Sequence, residues 1–269
     1  MTRVLSVAAC VLGFVLLPAC QQEKPQREAL PSGSAAKDAA PAPASVSFVI
    51  DPASSRVTLS LDSPLEKISG EAPGSVQGEL SVDLGDVTKS TGLVKVALEK
   101  LVLFQEARKD EKHEYGERKK NEGQNKEARE WLQLEAREGE IAAEQAERNR
   151  FPEFRIERLE NASATSIAGL SGSRRDVGAT ARGEFLLHGR KNKKSAKVEL
   201  RFEYSGEKVQ SLFVKTSEPF KVALEEYDIH PRSKTGKLLK TISEALSGPL
   251  GKKVASEARI ELEFTAKPH

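Results

Sequence analysis

Cysteine is nearly missing from this chain of 269 residues, which has only Cys10 and Cys20. Cys10 lies inside an N-terminal apolar run that reads as a cleavable leader. Once that run is removed a single thiol remains, and no internal disulfide can form. Histidine is also scarce: the four, at positions 113, 188, 230 and 269, form no close pair, so the usual spacing of metal ligands is lacking. Charge of one sign is not in excess either. The net charge is +2, and nothing in that balance calls for nucleic acid. No glycine-rich phosphate loop and no nucleophile elbow is present. Nor does any apolar run reach membrane-spanning length. Val4 to Leu17, broken only by Ser6 and Gly13, is too short.

What is present begins with that run. Arg3 supplies a positive start, the apolar stretch follows, and Leu17-Pro18-Ala19-Cys20 closes it. This ordering reads as a signal peptide over 1–19. Its ending resembles a bacterial lipobox, which implies that Cys20 carries the lipid and becomes the first residue of the mature protein. Several acyl chains, at about 0.8 kcal/mol per buried methylene, make a stable anchor. Residues 20–45 are rich in Pro, Ala, Ser, Gln and charge, with Leu30 the only large apolar residue. Such a segment cannot bury enough apolar surface to offset its ordering entropy and is expected as a disordered tether. The implied location is the cell envelope, lipid-anchored, facing the periplasm or on the outer membrane.

Residues 46–269 alternate with period two. Val57, Leu59 and Leu61 do so first, then Leu80, Val82 and Leu84, then Val94, Val96 and Leu98. Val198, Leu200, Phe202 and Tyr204 alternate with Lys197, Glu199, Arg201 and Glu203, and Ile260, Leu262 and Phe264 complete the set. Further strands are expected near 46–51, 153–160, 181–189 and 211–224, with breaks at Asp51-Pro52, Pro73-Gly74, Gly85-Asp86, Ser205-Gly206 and Glu218-Pro219. The fold class is all-β: an antiparallel barrel of about eight strands with an apolar interior.

One stretch departs from this pattern. Residues 105–150 hold 13 acids and 11 bases in 46 positions, and are expected to form a charged helical insertion. Residues 106–126 have almost no apolar side chain, so 106–124 are expected to be dispensable. Residues 127–148 read as one helix with a narrow seam of Leu132, Ala136, Gly139, Ala143 and Ala146, beside Trp131. Phe151-Pro152 ends it. The insertion either docks envelope proteins, lipid head groups or cell-wall polymers, or is a solvated helical excursion that shields a barrel mouth; its mixed charge favours the second.

The order of motifs resembles the YceI-like family of exported lipocalin-like barrels, over roughly Phe48 to Ala266. The carriers are Phe48-Val49-Ile50-Asp51-Pro52 with Ser55 and Val57 as a first hairpin, and Ile68-Ser69-Gly70 with Gly74, Gly78 and Leu80. They continue with Arg129-Glu130-Trp131-Leu132, Phe151-Pro152-Glu153-Phe154, and Gly183-Glu184-Phe185-Leu186-Leu187-His188-Gly189. The resemblance implies binding of an isoprenoid or fatty-acyl amphiphile inside the barrel, without enzymatic activity, cofactor or metal. Phe185, Leu187, Leu200, Phe202 and Phe220 are the candidate lining. The alternative is an envelope scaffold whose barrel is filled by its own side chains, because a filled core and a tunnel share one alternating pattern. His188 reads as a turn residue before a ligand contact. Lys191, Lys193 and Lys194 form a basic turn that can steer an acidic head group, or are simply exposed. Asp228 and His230 make a weak acid–base pair with no nucleophile nearby.

The lipobox reading has a direct check. Cys20→Ala is expected to release the protein from membranes or leave it as an uncleaved precursor. Unchanged detergent partitioning and unchanged mass in the variant would rule the anchor out.

Overall fold

The computed structural model describes residues 45–229 and 256–269. The leader, Cys20, the tether up to residue 44 and His230 lie outside them.

Among the described residues, twelve antiparallel strands form one sheet that closes on itself. In chain order they are β1 (Val46–Asp62), β2 (Glu66–Pro73), β3 (Val76–Val82), β4 (Thr91–Val96), β5 (Val102–Ala107) and β6 (Lys119–Lys120). Two helices follow, α1 (Glu122–Trp131) and α2 (Ala143–Asn149). The remainder are β7 (Glu153–Glu160), β8 (Arg174–Leu187), β9 (Arg190–Ser205), β10 (Lys208–Thr216), β11 (Phe220–Ala223) and β12 (Glu257–Pro268). Eight of the strands make the closed ring β1-β3-β4-β7-β8-β9-β10-β12, and β12 pairs back onto β1. The remaining strands extend one end: β2, β5 and β6 continue outward from β1, and β11 borders β12.

Asp51-Pro52, expected as a break, is a bulge within one long strand. The register of β1 against β12 shifts between Asp51 and Arg56. Proline suits such a point because it has no N–H to give to a ladder. Ser54 Oγ bonds the Asp51 carbonyl, and Ser55 Oγ donates to the Pro52 carbonyl while accepting the Val76 N–H. Below the bulge β1 pairs with β3; above it β1 pairs with β2. The first hairpin is therefore β1 with β2, not two halves of β1. Two glycines set close strand contacts: a Cβ on Gly78 or Gly183 would lie 1.9 Å from the Leu93 or Arg155 carbonyl oxygen.

Alternation sends Val198, Leu200, Phe202 and Tyr204 inward along β9, all buried, while Lys197 and Glu199 stay exposed. The outer face carries cross-strand ion pairs. Arg182 and Arg158 lie 2.5 and 2.7 Å from Glu160, and hold its carboxyl below the usual range. Exposed pairs of this kind contribute little stability. Two ends of the barrel can be told apart. At one lie the start of β1 and the end of β12, where the His269 N–H bonds the Ser47 carbonyl. At the other lie β11, α1 and residues 224–229.

The charged region differs most from expectation. The helix expected over 127–148 is two short helices. α1 starts earlier, with the Asn121 side chain capping the Gln124 N–H. It stops at Leu132, because Gln133 takes a left-handed φ of 52°. Ala136 and Gly139, assigned to the seam, fall in the link, where Gly139 has φ 72° and Arg137 bridges to Ile141. Ala146 alone of the seam is buried. Residues 106–107 and 119–120 are strand. Between them Tyr115 sits under Lys67 and Arg108, with cations 4.2 and 4.5 Å from its ring centre. Arg118 stacks 3.7 Å from the centre of Phe104. These contacts hold the excursion against β2 and β5. The dispensable stretch is accordingly narrower than 106–124, which includes the end of β5, all of β6 and the α1 cap. Replacing 109–114 with a short Gly-Ser link should change unfolding free energy by less than about 0.5 kcal/mol. Tyr115→Ala should cost about 1 kcal/mol. Urea denaturation followed by circular dichroism measures both.

Candidate binding cavity

The barrel is filled at one end and hollow above. Its floor is aromatic. Phe48 and Phe202, both fully buried, meet edge to face with centroids 6.4 Å apart. Val177 and Leu212, also buried, surround them, and Ile167 and Val87, both 0% exposed, belong to the same packed cluster. Above the floor the inward positions shrink: Leu200, Val198 and Ala196 on β9 stand beside Val177, Ala179 and Ala181 on β8. Side chains this small do not reach the axis of an eight-stranded ring, and a hollow results.

That hollow is a cavity of about 240 Å³. Its wall is almost wholly apolar. Leu59, Leu61, Phe154, Ile156, Ile260 and Leu262 line it and are only partly buried, although they face the barrel interior. Ser90, Thr91 and Thr216 are the polar wall residues. Ser90 Oγ accepts the Asp83 N–H at 3.2 Å and Thr216 Oγ1 accepts the Leu262 N–H at 3.1 Å, so both hydroxyls are already engaged by the protein. The roof is built from Ala128, Trp131 and Leu132 of α1 and its end, with Phe220, Leu224, Ile229 and Ala258. Asn125 ties α1 in place: its Oδ1 accepts the Leu103 N–H at 2.8 Å and its Nδ2 donates to the Leu103 carbonyl at 2.9 Å. The side chain thus pairs with β5 as a strand backbone would.

Of the five lining candidates, Phe185, Leu187, Leu200 and Phe220 are on the wall. Phe202 is not. It shares the inward face of β9 but sits one step too low, packed into the floor against Phe48. Alternation assigns a face and not a height, which is why this position was misplaced. Cys20 lies outside the described residues. The walls supplied by β1, β7 and β12 and the roof supplied by α1 were missed as lining. Their only signal was the apolar face of each strand, and Trp131 beside its seam.

His188 is a turn residue, with φ 51°, whose Nδ1 donates to the Tyr227 carbonyl at 2.9 Å. Its Nε2, and the hydroxyl of the fully buried Tyr227, have no hydrogen-bond partner among the described residues. Burial pushes the Tyr227 hydroxyl pKa up. The Tyr227 ring stands edge-on to Phe185 at 5.5 Å, and Phe185 to Phe220 at 5.2 Å, so His188 positions the aromatic roof. Each lysine of the basic turn has a carboxylate partner. Lys191 pairs with Glu184, Lys193 with Glu157 and Lys194 with Glu226. Asp228 pairs with Arg190 at 3.0 Å.

Ring and hollow together define a lipocalin-like closed β-barrel with an apolar interior cavity. No protein-family model matches the chain, and no curated protein matches it. Among solved structures, it is similar to a polyisoprenoid binding domain from Saccharophagus degradans implicated in plant cell wall breakdown. That similarity has a TM-score of 0.48 and 11% identity, over 83% of this chain and 99% of that one.

The His188 bond can be tested by removal. His188→Ala should lower stability by about 1 kcal/mol, the net value of one hydrogen bond, in urea titrations monitored by near-UV circular dichroism.

Proposed function

We propose that the barrel holds the apolar part of an amphiphile, an isoprenoid or fatty-acyl chain, and acts by binding or carrying it without chemical conversion. The observation that supports this most is the hollow, with leucine, isoleucine and phenylalanine side chains left partly exposed on the inside of a closed barrel. An apolar chain placed there gains about 0.8 kcal/mol for each methylene it removes from water. It needs no polar partner, and the Ser90 and Thr216 hydroxyls already accept backbone N–H groups of the barrel.

The same proposal makes the chain a lipoprotein of the cell envelope, held to a membrane through Cys20 at the head of residues 20–45. The motif Leu17-Pro18-Ala19-Cys20 supports the anchor. The family resemblance read from the motif order points the same way on ligand class.

Leu200 provides the test, since it lies on the wall just above the floor. Leu200→Trp should retain cooperative unfolding while lowering affinity for a fluorescent fatty-acyl or prenyl probe at least about tenfold, because the indole occupies space the ligand needs. Leu200→Ala should cost no more than about 2 kcal/mol, the lower bound for such a truncation in a packed core, because the space beside it is already open. Failure of the unaltered protein to bind any such probe, together with ready unfolding of both variants, would overturn the carrier reading.

A further inference from the structure

The depth of the hollow carries a statement about ligand size. We propose that the cavity is a blind-ended gauge: it accepts one tail of about 12 carbons in extended form, inserted toward Phe48 and Phe202, with the polar end left at the α1 end. This rests on the binding reading above.

The floor makes the cavity blind. Phe48, Phe202, Ile167 and Val87 are all 0% exposed, so no channel continues past them. The other end is looser, since Trp131, Leu132 and Phe220 remain partly exposed there. The direction of insertion follows from the wall chemistry. A head group driven to the floor would lose its water and meet only hydrocarbon, a cost of several hydrogen bonds. At the α1 end it stays near solvent.

Length follows from the strands. The lined part of β8 runs from Ala181 to Leu187 and that of β12 from Ala258 to Phe264. Each spans about 20 Å of strand, which at a barrel tilt of about 40° is about 15 Å along the axis. A saturated chain with bonds of about 1.5 Å and angles of about 111° advances about 1.25 Å per carbon, so 15 Å holds about 12. A prenyl tail advances four main-chain carbons per isoprene unit, so about three units fill the same depth.

The experiment is displacement of a fluorescent fatty-acyl probe from the purified whole chain by straight-chain alcohols of increasing length, from about eight to eighteen carbons, and in parallel by prenols of two, three and four isoprene units. Affinity should tighten about fourfold for each added methylene. The gain should stop near 12 carbons, and near three units in the prenol arm. Whichever arm binds more tightly at its stopping length identifies the tail chemistry. Phe202→Leu lowers the floor and should move the stop to longer tails, while Leu200→Phe raises it and should move the stop to shorter ones. Affinity that climbs without a stop to the longest alcohol overturns the gauge while leaving binding intact. Absence of binding at every length overturns the binding reading itself. The unaltered protein alone decides between these, whatever the variants do.

Discussion

Everything else in the domain depends on β12 pairing with β1. That ladder turns a twisted sheet into a ring and removes the two edges that would otherwise expose unpaired backbone groups. It works only because β1 bulges at Pro52–Ser55. A straight strand would keep one neighbour along its length, whereas the bend gives its lower half to β3 and its upper half to β2. The ring then closes tightly around the aromatic floor. The upper half opens toward β2, β5 and β11, and a helix must cover the gap. The serine hydroxyls at the bulge answer backbone groups left without a ladder partner, which is how a closed barrel tolerates the irregularity.

Filled floor and empty middle come from one simple gradient in side-chain size. Phe202 and Tyr204 reach across the ring; Ala196 and Ala181, farther along β9 and β8, do not. The neighbouring wall residues line the void without filling it. A hollow of this kind lowers stability relative to a filled core, and its persistence in the fold is what suits it to hold something else.

Much of this was legible in the residues. The period-two runs at 57–61, 198–204 and 260–264 lie in strands, and those at 80–84 and 94–98 do so up to Val82 and Val96, with Leu84 and Leu98 past the strand ends; the antiparallel barrel followed from them. Four of the five candidate lining residues stand on the cavity wall. Other features were not legible, for identifiable reasons. β6 is two residues long, too short for any period to show. The heptad-like seam through Ala136 and Gly139 ignored the left-handed backbone at Gln133 and Gly139, which ends a helix regardless of its apolar spacing. Lys191, Lys193 and Lys194 looked like free charge because their carboxylate partners are distant in sequence or lie on a facing strand. Phe202 had the right face at the wrong height.

The meeting of Ser47 with His269 has a mechanical consequence. β1 begins and β12 ends at the same end of the barrel, side by side, with Phe48 opposite Pro268. Tension applied between Ser45 and His269 therefore pulls the seam apart one hydrogen-bonded pair at a time, like a zip, instead of shearing all pairs at once. The first pairs to part lie beside Phe48 and Phe202, so a stretched domain opens at its floor, and a cavity that is blind at rest becomes a passage under load.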